Sequence, residues 1–87
     1  PLAPLRGYLF KEVKTMTTAF NKPIQTAHNR YQVLANKDLH SSTTQVFIYG
    51  FGDKPLKSVI PVYLNNYDIE SYARKTIESL ERVIYNE

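Results

Sequence analysis

His28 and His40 are the residues of this 87-residue chain best equipped for proton transfer, each in a polar stretch with a cation nearby, Arg30 or Lys37. Two imidazoles and a lysine can serve as a general acid–base pair, the chemistry of metal-independent RNA cleavage. Asp38-Leu39-His40 adds a carboxylate that would orient the second imidazole if the loop turned both side chains to one side. Nothing in the spacing requires this, and histidines in polar loops are most simply surface residues. A metal site needs three or four ligands; there is no cysteine, and no cluster of His, Asp or Glu fills the role. The glycine patterns that cradle phosphates or carry a nucleophilic serine are absent, and Gly50-Phe51-Gly52 is a lone G-x-G at a turn. The sequence implies no cofactor and leans away from an enzyme.

Phosphate binding is the second chemistry on offer. Residues 1–60 carry eight Lys or Arg against three acids, whereas residues 61–87 carry three against five, within a net charge of +3. A basic front and a mildly acidic rear point to an anionic partner for the front, although ordinary solubility charge has the same look. The candidates for nucleic-acid contact are Lys11, Lys14, Lys22, Arg30, Lys37, Lys54 and Lys57. If Lys22, Lys54 and Lys57 converge at one end they make a modest phosphate-contacting patch, and some of the seven tyrosines nearby would stack on bases.

The elements that must position these residues are clearest at the C-terminal half. Thr44–Phe51 is apolar and mostly β-branched or aromatic, Gly52-Asp53-Lys54-Pro55 is turn chemistry, and Ser58–Leu64 is a second β-type run. With Val46 and Ile48 on one face and Phe47, Tyr49 and Phe51 on the other, the first run predicts a central strand covered on both sides. Pro61 makes Ser58–Leu64 an edge strand, with Ile60, Val62 and Leu64 inward and Tyr63 outward. From Asp68 the period becomes helical: Asn65 or Asn66 can cap, and Ile69, Tyr72/Ala73, Ile77, Leu80 and Val83/Ile84 form an apolar stripe. On the far side Glu70, Arg74, Glu78 and Arg82 repeat at i, i+4, a self-neutralising and solvated row.

Upstream, Leu9, Val13, Met16 and Phe20 share one helical face, so Tyr8–Phe20 reads as a helix ended by Pro23, with a strand or hairpin as the alternative. Ile24–Asn29 reads as connection, Tyr31–Ala35 as a half-buried strand, and Asn36-Lys37-Asp38 as a turn continued by His40–Thr43. The predicted fold is α+β: an N-terminal helix, a three-stranded antiparallel meander, and a C-terminal amphipathic helix packed on the sheet. An all-strand N-terminus, giving βββα or a four-stranded sheet, is the alternative. Residues 1–7 read as an extended lead-in, and 8–87 as one small domain. Pro1-Leu2-Ala3-Pro4-Leu5-Arg6 fits the P-x-x-P-x-R pattern of SH3 ligands, though a spacer is the simpler reading.

Val46-Phe47-Ile48-Tyr49-Gly50-Phe51 resembles the first ribonucleoprotein motif of RNA-recognition domains, but there a helix follows the motif strand and here a turn and strand follow. Core packing of Phe47, Tyr49 and Phe51 is the better reading. The expected element order is similar to that of double-stranded-RNA-binding domains, whose second helix starts basic; Asn65-Asn66-Tyr67-Asp68-Ile69-Glu70 is acidic, so no site carries over. The closing strand and helix also look like those of many small assembly proteins of phage tails and other particles.

A hydrophobic share of 43% fits a folded chain with one core. No apolar run is long enough to span a bilayer, so no membrane partner is expected. The missing initiator Met and signal pattern suggest an excised domain or processed product, and the lack of cysteine leans towards the cytoplasm or a virion interior. The leading expectation is a non-catalytic interaction domain of a larger protein or particle, docking on a protein partner or on itself through Val59, Pro61 and Tyr63 at the edge strand. Nucleic-acid binding by the basic front is the alternative, and a small ribonuclease using His28 or His40 comes third.

Overall fold

The computed structural model describes residues 16–86. Four strands pair in sequence order as one antiparallel sheet: β1 (Met16–Gln25), β2 (Arg30–Asp38), β3 (Thr43–Tyr49) and β4 (Leu56–Pro61). The helix α1 (Asn66–Tyr85) lies across one face of it, in contact with β1 and β3. The α+β class and the C-terminal helix are as the sequence predicts. The predicted N-terminal helix does not run to Phe20: Met16–Phe20 belongs to β1, and the described residues form the four-stranded alternative. Residues 1–7 and 8–15, with Lys11 and Lys14, lie outside the described residues.

Side-chain alternation explains how the sheet acquires one dry face. Along β3, Thr44, Val46 and Ile48 are buried, while Thr43, Gln45 and Phe47 are half-buried and Tyr49 is exposed. Along β2, Tyr31, Val33 and Ala35 are buried and Arg30 and Gln32 exposed. These inward residues meet Ile69, Ala73 and Ile77 of the helix, joined by Phe20, Ile24 and Ile60. Each buried Val, Ile or Phe side chain contributes about 1.5–3 kcal/mol by leaving water, and each Ala less.

The edges and turns correct several expectations. Pro23 does not end an element; it sits within β1, an edge strand, where the missing N–H can face solvent. A bulge at Ala19 shifts the β1–β2 register, so Phe20 pairs with Ala35 while Thr18 pairs with Asn36. Ile24 and Gln25 extend β1, leaving a shorter connection than predicted. Asn36, Lys37 and Asp38 continue β2 instead of turning, and the reversal falls over the next four residues, with Ser42 left-handed at φ 57°. β4 is the other edge, with Ile60 inward and Val59 outward; Val62 and Leu64 are half-buried just beyond it, and Leu64 packs on the core.

Asn65 starts the helix with a reciprocal capping box: its side chain accepts from the Asp68 N–H at 2.8 Å, and the Asp68 carboxylate accepts from the Asn65 N–H at 3.4 Å. Left-handed Asn86 ends it, donating its N–H to the Arg82 carbonyl. The row that packs inward is Ile69, Ala73, Ile77 and Glu81. Leu80 is half-buried, and Val83 and Ile84, expected on the apolar stripe, are exposed because the inward row runs on through Glu81 and leaves them to one side.

At the end of β3 the chain passes beneath an aromatic ring. Gly50 holds φ +135° and Gly52 φ +132°, conformations that L side chains rarely adopt. Gly50 also lies directly under Tyr31, so a Cβ there would fall inside the van der Waals envelope of Tyr31 Cδ1, whereas Gly52 faces open space. We expect Gly52→Ala to cost about 1–3 kcal/mol through backbone strain alone. Gly50→Ala should lose more, because the buried ring must also move. Urea denaturation of both variants checks the order, and equal losses would contradict the packing described.

Candidate functional site

Two surfaces bear on function. The first is the sheet face opposite α1, which no described element covers. Cross-strand register sets out its rows: Pro23, Gln32 and Tyr49; then Asn21, Leu34, Phe47 and Lys57; then Thr18, Asn36, Gln45 and Val59. Arg30 stands next to the first row, opposite Gln25. Amides are anchored across the strands: Gln32 Nε2 donates to Asn21 Oδ1 at 2.6 Å, and the Thr18 hydroxyl to Asn36 Oδ1 at 3.2 Å. Phe47 is half-buried and Tyr49 is 43% exposed, which corrects the expectation that this strand is covered on both sides. Of the three aromatics, Phe51 is the one that turns to the core, stacking on Tyr31 with ring centroids 4.6 Å apart.

The basic candidates separate. Arg30 and Lys57 reach this face, and Lys54 sits exposed in the β3–β4 loop at the same end of the sheet. Lys22 occupies a helix-side register position at the β1 edge, with its ammonium 5.6 Å from the Phe20 ring centroid. Lys37, half-buried and paired with Thr17 and Thr44, is towards the opposite end. The patch is therefore Arg30, Lys54 and Lys57, not the grouping with Lys22 that the sequence suggested. Among the described residues of the three rows and of Arg30 and Gln25 there is no carboxylate; the nearest on β2 is Asp38 at the far end. Val59, Pro61 and Tyr63 are all exposed at or just past the β4 edge, Val59 by 59% and Tyr63 by 80%.

No family model, curated protein or solved structure matches this chain. Its chemistry must be read from its own residues.

The second surface is a cleft of about 300 Å³ between the β1–β2 turn and the C-terminal half of α1. Glu81, 5% exposed, lies at its base and accepts the Thr26 hydroxyl at 2.6 Å and the buried Tyr31 hydroxyl at 2.7 Å on one oxygen. Burial pushes the carboxyl upward, but the two hydroxyls and the neighbouring His28 outweigh it and hold Glu81 below the usual range. Tyr31 is displaced the other way, first by burial and then by its bond to Glu81 and that group's charge. The His28 ring stacks on Tyr85, centroids 3.9 Å apart and nearly parallel. With Glu81 engaged by two hydroxyls, the arrangement fastens the turn to the helix. Sequence reasoning passed over Glu81, yet its place four residues after Ile77 on the inward row was the available signal.

The catalytic expectation loses its pairing. His28 is in the β1–β2 turn and His40 in the β2–β3 turn, at opposite ends of β2. Nine residues of strand, at about 3.4 Å each, keep the two rings well apart. Asp38 does not orient the imidazole; its carboxylate accepts the backbone N–H groups of His40 at 3.0 Å and Ser41 at 3.4 Å. A hydrogen bond from the Ser41 side chain, helped by the backbone N–H groups of His40 and Ser41 and by the His40 charge, holds Asp38 below its ordinary value against opposing desolvation. No group of three or more potential ligands occurs among the described residues.

These shifts fix the pH profile of stability. Folded Glu81 and Asp38 bind protons less readily than the unfolded chain, so their stabilisation is complete above the unfolded carboxyl range, about 4, and is lost as pH falls through their folded values. Folded Tyr31 releases its proton later than the unfolded chain, so its contribution is complete below about 10 and fades as pH rises further. We expect these three groups to leave stability flat between those limits. Glu81→Gln should shallow the acid limb, and Tyr31→Phe the alkaline one. Thermal melts across pH check both, and an unchanged acid limb in Glu81→Gln would remove Glu81 from the account.

Proposed function

We propose that this domain is a non-catalytic nucleic-acid-binding module that uses the sheet face opposite α1. The carrying observation is the composition of that face: Arg30 and Lys57 beside Phe47 and Tyr49, set among anchored amides, with no carboxylate among its described central rows. Interfaces for nucleic acid are more polar and more positive than those for proteins, and central rows that carry donors, amides and aromatic rings without a carboxylate suit phosphates and bases together. The net charge of +3 adds a long-range bias in the same direction.

A second reading, docking on a protein partner or a second copy, is favoured by the β4 edge. Val59 on β4 and Tyr63 just past it are exposed, and no described strand pairs with the outer side of β4, whereas β1 is guarded by Pro23, a bulge and Lys22. Sedimentation velocity at rising concentration tests the self-association form: a dimer weakened by Val59→Lys supports it, and a monomer throughout counts against it.

The leading reading is tested by fluorescence anisotropy with short labelled DNA and RNA over a salt series. Binding should be strongest at low salt. The slope of log affinity against log salt should fall by about one for each of Arg30→Gln and Lys57→Gln. No binding at low salt would overturn the proposal, since phosphate contacts must be visible there.

A further inference from the structure

We infer that the form of nucleic acid this face takes is single-stranded, with one unstacked base on Tyr49 and its neighbour on Phe47. The inference rests on the reading just given and adds the geometry of the two rings. They lie two residues apart on the same face of β3, the third strand of the sheet, and therefore about 6.8 Å apart along it. Successive bases in a duplex strand advance by about 3.4 Å, so rings at twice that spacing match a strand drawn out until its bases separate. A broad sheet cannot enter a duplex to reach base faces, whereas splayed bases can lie flat on it.

The charges are placed to follow such a strand. Lys57 is directly across from Phe47 on β4, and Arg30 is one row beyond Tyr49 on β2, so each ring has a cation on a neighbouring strand. Gln32 opposite Tyr49 and Gln45 two residues before Phe47 supply amide donors and acceptors near both rings. Amides read base edges, while cations bind backbone irrespective of sequence. The expected preference is thus for single strands first and only modestly for sequence.

Anisotropy titrations of the whole chain with a single strand of about 12 nucleotides, within the usual site sizes, and with the matching duplex decide the matter. The single strand should bind about ten-fold more tightly. Tyr49→Leu and Phe47→Leu, which keep apolar bulk in the sheet, should each lose about ten-fold for the single strand with the salt slope unchanged. Tyr49→Phe should retain affinity, and circular dichroism confirms that each variant is folded. Equal affinity for duplex and single strand, or leucine variants that bind like the parent, would overturn the inference while leaving phosphate-driven binding in place. No binding of either nucleic acid at low salt would remove both.

Discussion

Tyr31 is the side chain on which sheet, turn and helix meet, and most of the geometry at that end of the molecule follows from it. Its ring is buried, roofs Gly50 and stacks on Phe51. Its hydroxyl donates to Glu81, which also accepts from Thr26 in the β1–β2 turn. A buried carboxylate costs desolvation and need not add net stability. Its effect is positional, because one rotation and one axial placement of α1 bring Glu81 to both hydroxyls. The buried Ile69–Ala73–Ile77 row would tolerate sliding over an apolar surface; the carboxylate at its end does not. With helix and turn fixed, α1 occupies one face of the sheet, and no described element covers the other.

That one-sidedness governs what the surface can do. In β2 and β3 the helix-side positions are mostly apolar, from Tyr31 to Ala35 and from Val46 to Ile48, which leaves the alternate positions less constrained by packing. Besides Leu34, Asp38 and Thr43, those positions hold Arg30, Gln32, Asn36, Gln45, Phe47 and Tyr49, a selection no core requires. Leu34 and Phe47, paired across β2 and β3, give the open face an apolar centre that amides and cations surround. The large apolar residues of β3 are thus divided: Val46 and Ile48 serve the core, and the Phe47 and Tyr49 rings lie on the face that no described element covers.

Legibility in the sequence followed the strength of the local period. The C-terminal helix, its Asn65 cap and the inward Ile60 of β4 were readable because capping chemistry and periodicity agreed. The first strand was not, for two reasons that reinforce each other. Met16 and Phe20 are four apart, which suits one helix face or, in an unbroken strand, one sheet face; the bulge at Ala19 puts them on opposite sides, so neither template fits cleanly. Pro23 then resembles a terminator, although an edge strand accommodates it. The exposure of Tyr49 was hidden for a different reason. A run that is apolar on both faces signals a doubly covered strand only if a second layer exists to cover it, and the number of layers is a property of the whole chain.

The candidate site was legible in its parts and not in its assembly. The basic residues and the rings were all visible as types, but their grouping depends on register, which an antiparallel sheet sets through its turns. Extending β2 through Asp38 and pairing Phe47 with Lys57 bring Arg30, Lys54 and Lys57 to one end of the sheet and send Lys37 towards the other. A one-residue slip of β4 would turn Lys57 towards the helix and Ile60 to solvent, so the burial of Ile60 is what holds Lys57 on the open face. Core packing and surface chemistry are therefore one constraint here: the hydrophobic pattern that fastens each strand beneath α1 also decides which cations stand beside which rings.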